Sequence, residues 1–221
     1  MHPTQIRDSK MRNTTIKKKL KFFLCLTSIL MFSALKMYGT PQAPDIVIYQ
    51  GEAFGLHRPT PIISYFQRYP ERRLPPPEII ITGNLRGYIA RYEFIDSVLY
   101  LTDIQGRGRG RLREFFPSVD EVRVYWFSGL LVLHRTLNNQ DNYVILELEN
   151  GVLKRSKRLF GIEEYREFLE KQFQAFKQTE EYQAVKEQLR EHRANRHRSD
   201  EDVERIVRRS IIGYTSKILV E

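Results

Sequence analysis

Apolar and polar residues alternate in several short runs between residues 45 and 158, and turn-forming residues separate the runs. Alternation is typical of a strand, because successive side chains point to opposite faces of a sheet. One run, EVRVYWFSGLLVLHR, is apolar on both faces and predicts a fully buried strand with a bulge or close backbone contact at Gly129. The other runs are DIVIYQ, AFGLH, RGYIARYEFI, VLYLTDI and NYVILELENGVLKR. We predict a β-rich domain over residues 45–158, either an antiparallel β-sandwich or a partly open β-barrel.

Turn residues predict how two pairs of these strands are connected. Asn150 and Gly151 join two alternating runs, and both residue types accept the positive φ angles of a type I′ turn. Asp96 and Ser97 lie between two further runs in the same way. We therefore expect an antiparallel hairpin at each position.

The apolar period lengthens at Gly161, where the pattern changes from strand to helix. A phase slip near Thr179 predicts a bend or break in that helix. The apolar positions before the slip are Ile162, Tyr165, Leu169, Phe173 and Phe176, and those after it are Tyr182, Val185 and Leu189. Residues 159–221 thus predict a C-terminal extension of amphipathic helices, and the fold class is α+β.

Capping residues predict the ends of two shorter helices. Ser199 and Asp202 have the spacing of a capping box, and Gly213 can end the helix that follows them. A second short helix is expected between Thr60, as its cap, and Pro70.

The first 39 residues have a different pattern, which predicts a signal peptide or a membrane anchor. Residues 22–35 carry no charge, and a lysine cluster at positions 17–21 precedes them. This run is shorter than the roughly 20 residues of a membrane-spanning helix and fits the apolar core of a secretory signal. Lysines stay in the cytoplasm, so the body would lie in the periplasm or be anchored in the inner membrane outside the cytoplasm. Residues 40–44 form a spacer, and translation can start at Met1 or Met11.

The distribution of charge argues against nucleic acid as a partner. The chain has a net charge of +9, of which +7 lies in residues 1–39 and +2 in residues 40–221. The body is therefore nearly neutral, unlike a nucleic-acid-binding domain. The single cysteine, Cys25, lies in the leader, so we expect neither a disulfide nor a thiolate metal site in the body.

The pattern of motifs resembles a group of uncharacterised exported bacterial proteins. The shared stretches are APDIVIYQG, RGYIARYEFIDSVLYLTDI, YWFSG and LELENG, within residues 43–153. They are strand and turn features, so the resemblance implies a shared fold and export rather than an activity. The group has no known function from which a site residue could be transferred.

One loop is a candidate anion-binding site. Its arginines alternate with glycine and leucine, and guanidinium groups bind phosphate or carboxylate in pairs. A flexible solvated loop is the competing interpretation, because no aromatic residue interleaves with the arginines. The candidate residues are Arg107, Arg109, Arg111 and Arg113.

Candidates for catalysis are weaker. Glu147 and Glu149 lie on one face of a strand and, with His134 and Asp141, would support a carboxylate hydrolase if all four converged in a pocket. Ser128 has no nucleophile-elbow context that would make it part of a triad. The spacing of the histidines matches no metal motif, and no cofactor is predicted.

The sequence thus predicts an exported binding or structural protein of the bacterial cell envelope without a catalytic residue. The alternatives are an envelope hydrolase that uses carboxylates, and a binder of anionic lipid or polymer through the arginine loop. The C-terminal helices are candidates for self-association or a protein partner, and the leader for membrane contact. Tyr125, Trp126 and Phe127 are expected in the core rather than in a stacking platform.

Overall fold

Eight strands form a single sheet in the computed structural model, which describes residues 42–56, 59–72, 83–106, 112–117, 121–138, 140–191 and 198–220. Across the sheet the order is β3–β1–β2–β6–β7–β8–β4–β5, and β3 also pairs with β4. Seven strands therefore close into a barrel, with β5 outside the ring. In chain order the strands are β1 (Asp45–Tyr49), β2 (Glu52–Leu56), β3 (Tyr88–Ile95), β4 (Val98–Gly106), β5 (Val122–Arg123), β6 (Gly129–Leu137), β7 (Gln140–Glu149) and β8 (Val152–Phe160).

The barrel confirms the predicted α+β class and differs from the expected sheet in two respects. The pairing of β3 with β4 closes the ring, so the barrel is not partly open. The pairing of β1 with β3 is parallel, whereas the other strand pairs are antiparallel, so the sheet is mixed. The predicted leader and Cys25 lie outside the described residues.

Both predicted hairpins are confirmed. Asn150 and Gly151 have φ angles of 49° and 75°, and Asp96 and Ser97 have 48° and 65°. Positive φ at both central residues gives the turn a twist that matches the flanking strands. At Gly151 the glycine is also required by space, because a Cβ there would lie 2.4 Å from the carbonyl oxygen of Val124.

The predicted strand EVRVYWFSGLLVLHR is wrong as a single element, because the chain turns between β5 and β6. The indole of Trp126 anchors this turn by donating a hydrogen bond from Nε1 to the carbonyl oxygen of Pro61, at 2.8 Å. Trp126 and Phe127 are buried, as expected, but Tyr125 is exposed. The prediction that both faces are apolar and buried holds for the first half of β6, where Leu130 and Leu131 pack in different hydrophobic clusters, whereas the second half is partly exposed.

Two hydrophobic clusters lie on opposite sides of β6 and β7. The barrel cluster fills the interior, and its fully buried members include Val47, Tyr92, Leu101, Leu133 and Leu146. The outer cluster lies between the barrel wall and the C-terminal helices, and it includes Tyr143, Ile145, Phe173, Phe176 and Val207. Alternation along the strands therefore stabilises both the barrel and the helical layer.

The helical layer begins directly after β8. The break near Thr179 is confirmed, and Ser199 caps its helix, since the amide N–H of Asp202 donates to its Oγ at 3.2 Å. The expectation that Gly213 ends that helix is wrong, because the helix ends at Arg209 and Gly213 lies in the next one. The helices are α1 (Pro61–Arg68), α2 (Leu112–Phe115), α3 (Gly161–Phe176), α4 (Glu180–Glu191), α5 (Asp200–Arg209) and α6 (Ile211–Tyr214).

Helix α1 is the element that positions the candidate site. Its inner face carries Ile62, Tyr65 and Phe66, which are buried in the barrel cluster. The hydroxyl of Tyr92, inside the barrel, accepts a hydrogen bond from the amide N–H of Ile62 at 3.0 Å. Burial raises the pKa of Tyr92 well above its ordinary value, so this phenol is neutral. The helix is thus fixed by its inner face, and its outer face is left for other contacts.

Candidate functional site

A cleft of about 760 Å³ lies between α1 and the C-terminal helices. This volume is within the range of about 300–1,000 Å³ that small-molecule sites occupy. The walls come from segments that are distant in the chain, residues 59–67 on one side and residues 165–213 on the other. The described lining residues are Pro59, Thr60, Ile63, Ser64, Gln67, Tyr165, Leu169, Arg209, Ser210, Ile211, Ile212 and Gly213.

One wall is the outer face of α1. Thr60, Ile63, Ser64 and Gln67 follow the i, i+3, i+4, i+7 spacing that places residues on one side of a helix. Pro61 at the first position fixes the entry of the chain into the helix. The wall therefore presents one apolar side chain among polar groups.

The opposite wall combines α3 with the junction of α5 and α6. Tyr165 and Leu169 lie one turn apart on α3, while Ile211 and Ile212 are buried at the start of α6. These residues also pack against the outer cluster. This side of the cleft is therefore held in place by hydrophobic packing.

The hydroxyl of Thr60 is buried without a hydrogen-bond partner. The residue is 2% exposed, and its Oγ1 contacts no donor or acceptor of the described residues. It was expected to cap α1, yet the amide N–H of Ile63 donates to the backbone oxygen of Thr60, at 3.1 Å, and no side-chain cap forms. A buried hydroxyl without a partner costs about 1–3 kcal/mol, and native proteins retain few such groups without a reason.

Arg209 is the charged residue among the described lining residues, and it makes no ion pair within the described part of the chain. Its neighbour Arg208 differs, because it pairs with Glu170 at 3.6 Å and with Glu204 at 3.3 Å. Two adjacent arginines thus have different surroundings. Arg209 is exposed, so water and a group that enters the cleft can both reach its charge.

Three stacked rings connect the cleft to the barrel wall. Tyr165 lies parallel to Tyr143, with ring centroids 4.2 Å apart, and Tyr143 stacks on His134 at 4.6 Å. The β6–β7 register places His134 directly opposite Tyr143, which explains the second contact. Burial raises the pKa of Tyr165 to about 12, and it also raises the pKa of Tyr143. Tyr165 is therefore a neutral donor at physiological pH.

At the far end of this stack, Asp141 joins two residues of β6. Its Oδ1 accepts a hydrogen bond from Oγ1 of Thr136 at 2.8 Å and lies 3.1 Å from Nε2 of His134. The hydrogen bond from Thr136, followed by the contact with His134, lowers the pKa of Asp141. The ionised carboxylate thereby holds the imidazole in place against Tyr143.

Most of the predicted anion site falls outside the described residues. This applies to Arg107, Arg109 and Arg111. Arg113 is described and lies exposed on α2. Anion binding by this loop stays a prediction from sequence.

The candidate hydrolase residues are only partly brought together. His134 and Asp141 are in contact, but Glu147 lies six positions further along β7, about 20 Å at the rise of a strand. The Oε2 of Glu147 accepts a hydrogen bond from the amide N–H of Ile218 at 2.8 Å. The exposed Glu149 pairs with Lys154 at 3.1 Å.

Other candidates for chemistry also have structural roles. The Oγ of Ser128 accepts a hydrogen bond from the amide N–H of Asn150 at 2.9 Å, at the opposite end of β6 from His134. His57, His192 and His197 lie outside the described ranges. Within those ranges, no three His, Cys, Asp or Glu side chains form a group able to hold a metal. The same part of the chain contains no helix with the length and apolar character to cross a membrane.

Sequence reasoning missed the cleft because its walls are distant in the chain. Thr60 was interpreted as a helix cap, and Tyr165 and Leu169 as part of an amphipathic face. The spacing of Ile63, Ser64 and Gln67 is the signal that could have shown a second face on α1. No local pattern indicates that this face lies opposite α3.

Family models, curated proteins and solved structures were compared with the chain, and no match was found. The residues of the cleft are therefore the basis for inferring function.

Proposed function

We propose that this protein is an exported, non-catalytic binding protein of the bacterial cell envelope, and that its ligand binds in the cleft between α1 and the C-terminal helices. Export is supported by the lysine cluster and the uncharged run in residues 1–39. A body without cysteine and with a small net charge fits a domain that relies on packing alone outside the cytoplasm.

The observation that carries the binding role is the convergence of polar and apolar residues on one cleft. Polar side chains of α1, half-buried apolar side chains of α1 and α3, and the exposed Arg209 line the same space. That combination is typical of ligand sites, where a few polar groups orient a ligand on an apolar surface.

A cleft-filling variant tests whether ligands bind at this position. Ser64 is half-buried on the cleft wall, and Ser64→Phe adds a ring there without changing the inner face of α1. Ser216 is exposed and is not among the lining residues, so Ser216→Phe is the matched control. Compounds from a small-molecule library should raise the melting temperature of the wild type and of Ser216→Phe but not that of Ser64→Phe.

Two results would overturn the binding role. One is a library in which no compound stabilises the wild type. The other is equal stabilisation of the wild type and a folded Ser64→Phe variant, which would place binding elsewhere.

Export is tested by fractionation of cells that produce the full chain and a variant lacking residues 1–39. We expect the full chain in the periplasmic or inner-membrane fraction, and the shortened chain in the cytosol. A full chain found intact in the cytosol would refute export. The intact mass of the exported product distinguishes a cleaved signal from a retained anchor. Light scattering tests a separate expectation, self-association through the C-terminal helices.

A further inference from the structure

We propose that the ligand of the cleft is an amphipathic carboxylate, an acyl chain with a single negative head group that binds Arg209. This inference rests on the proposed function and specifies the chemical class of the ligand. It is carried by the charge, the donors and the apolar surface that line one cleft.

The charge argues for a single negative group. Arg209 is the charged group of the described lining, and no acidic side chain of that lining neutralises it. A guanidinium binds a carboxylate with two parallel hydrogen bonds, whereas a ligand amine would be repelled. A head group with several negative charges would exceed the one positive charge that the described lining offers.

The polar groups of the cleft are able to donate hydrogen bonds. Ser64 is half-buried and Gln67 is exposed on the outer face of α1, and both line the cleft. Because burial holds the pKa of Tyr165 at about 12, its phenol keeps its proton at physiological pH. Donors of this kind stabilise carboxylate oxygens, which only accept hydrogen bonds.

The remaining lining argues for an apolar tail. Ile63 of α1 and Leu169 of α3 are half-buried and line the cleft, next to the buried Ile211 and Ile212. Burying a methylene group between such side chains contributes about 0.8 kcal/mol. A small hydrophilic acid would leave this apolar surface exposed to water. An acyl chain would cover it, which a head group alone cannot do.

Isothermal titration with three matched compounds tests the class of ligand. Decanoate, decanol and decylammonium share one chain and differ in head group, and each is used below its micelle concentration. We expect decanoate to bind the wild type about 3-fold more tightly than decanol or better, and decylammonium to bind more weakly than both.

Adjacent arginines provide the matched pair of variants. Arg209→Gln should weaken decanoate binding about 3-fold or more and leave decanol binding unchanged. Arg208→Gln removes the same charge one residue away, where the arginine is already paired, and should leave both affinities within about 2-fold.

The outcomes separate this inference from the proposed function. Equal affinity for decanoate and decanol, or equal effects of Arg209→Gln and Arg208→Gln, would overturn carboxylate recognition. No binding of decanoate, combined with other compounds that stabilise the wild type but not Ser64→Phe, would overturn the inference and leave the cleft as the site. Decanoate binding that survives in Ser64→Phe would show a site outside the cleft and overturn the inference as well.

Discussion

Replacement of Thr60 by valine should stabilise the protein, although most core substitutions destabilise. Valine has nearly the shape of threonine and lacks the hydroxyl, so Thr60→Val removes the unpartnered group and little else. Thr215 is the matched control, since it is 5% exposed and fully engaged. Its Oγ1 donates to the carbonyl oxygen of Ile211 at 3.1 Å and accepts from Nε2 of Gln172 at 3.3 Å.

The two substitutions should change the free energy of unfolding in opposite directions. A buried hydroxyl without a partner costs about 1–3 kcal/mol, so Thr60→Val should raise the free energy of unfolding by about that amount. Thr215→Val removes two hydrogen bonds of about 0.5–1.5 kcal/mol each and should lower it by about 1–3 kcal/mol.

Urea unfolding followed by far-UV circular dichroism measures both changes, with the slope m as the check that the denatured states are comparable. For a domain of this size, 1 kcal/mol corresponds to a shift of about 2–4 °C in melting temperature. A Thr60→Val variant that is as unstable as Thr215→Val would refute the reasoning, because the hydroxyl of Thr60 would then have a partner within the folded chain.

Three further predictions test other parts of the fold. Gly51→Ala should lower the free energy of unfolding by about 1 kcal/mol, because its φ is +78°. Gly151→Ala should lower it clearly more, because its φ is +75° and the added Cβ would also meet a backbone carbonyl. Equal losses in urea unfolding would contradict this. The ionisation of Tyr165, isolated as the difference between ultraviolet titrations of wild type and Tyr165→Phe, should have a midpoint of about 12, and a midpoint at 10 would show that the ring is not buried. Since the unfolded phenol ionises at about 10, stability should be intact below pH 10 and fall as the pH rises to about 12. Arg86→Met should lower the free energy of unfolding by about 3 kcal/mol, because the fully buried carboxylate of Asp45 loses the hydrogen bonds of 2.9 and 3.2 Å that Arg86 donates. An unchanged free energy of unfolding would mean that water reaches the carboxylate.

The sequence predicted the elements of the barrel well where the physical cause is local. The alternation of apolar and polar residues predicted the strands. The turn at Asn150–Gly151 followed from two residue types that tolerate positive φ. The change of period at Gly161 located the start of α3, and Ser199 marked the start of α5. Each of these features depends on neighbours within a few residues, which a single sequence contains.

Features that depend on distant contacts were not predictable. Closure of the ring requires β3 to pair with both β1 and β4, and one of these pairings joins strands 40 positions apart or more. The break between β5 and β6 arises because Trp126 bonds to Pro61, a partner far back in the chain. The cleft has the same origin, since the face of α1 and the face of α3 acquire a function only when the barrel brings them together.

Methyl NMR of the full chain during titration with decanoate tests the central claim most directly, because it locates the ligand. We expect the largest chemical-shift changes at Ile63, Leu169 and Ile212 in the cleft, and little change at Leu99 and Leu101, which lie in the barrel interior. Shifts confined to the barrel interior or spread evenly over the molecule would contradict the account.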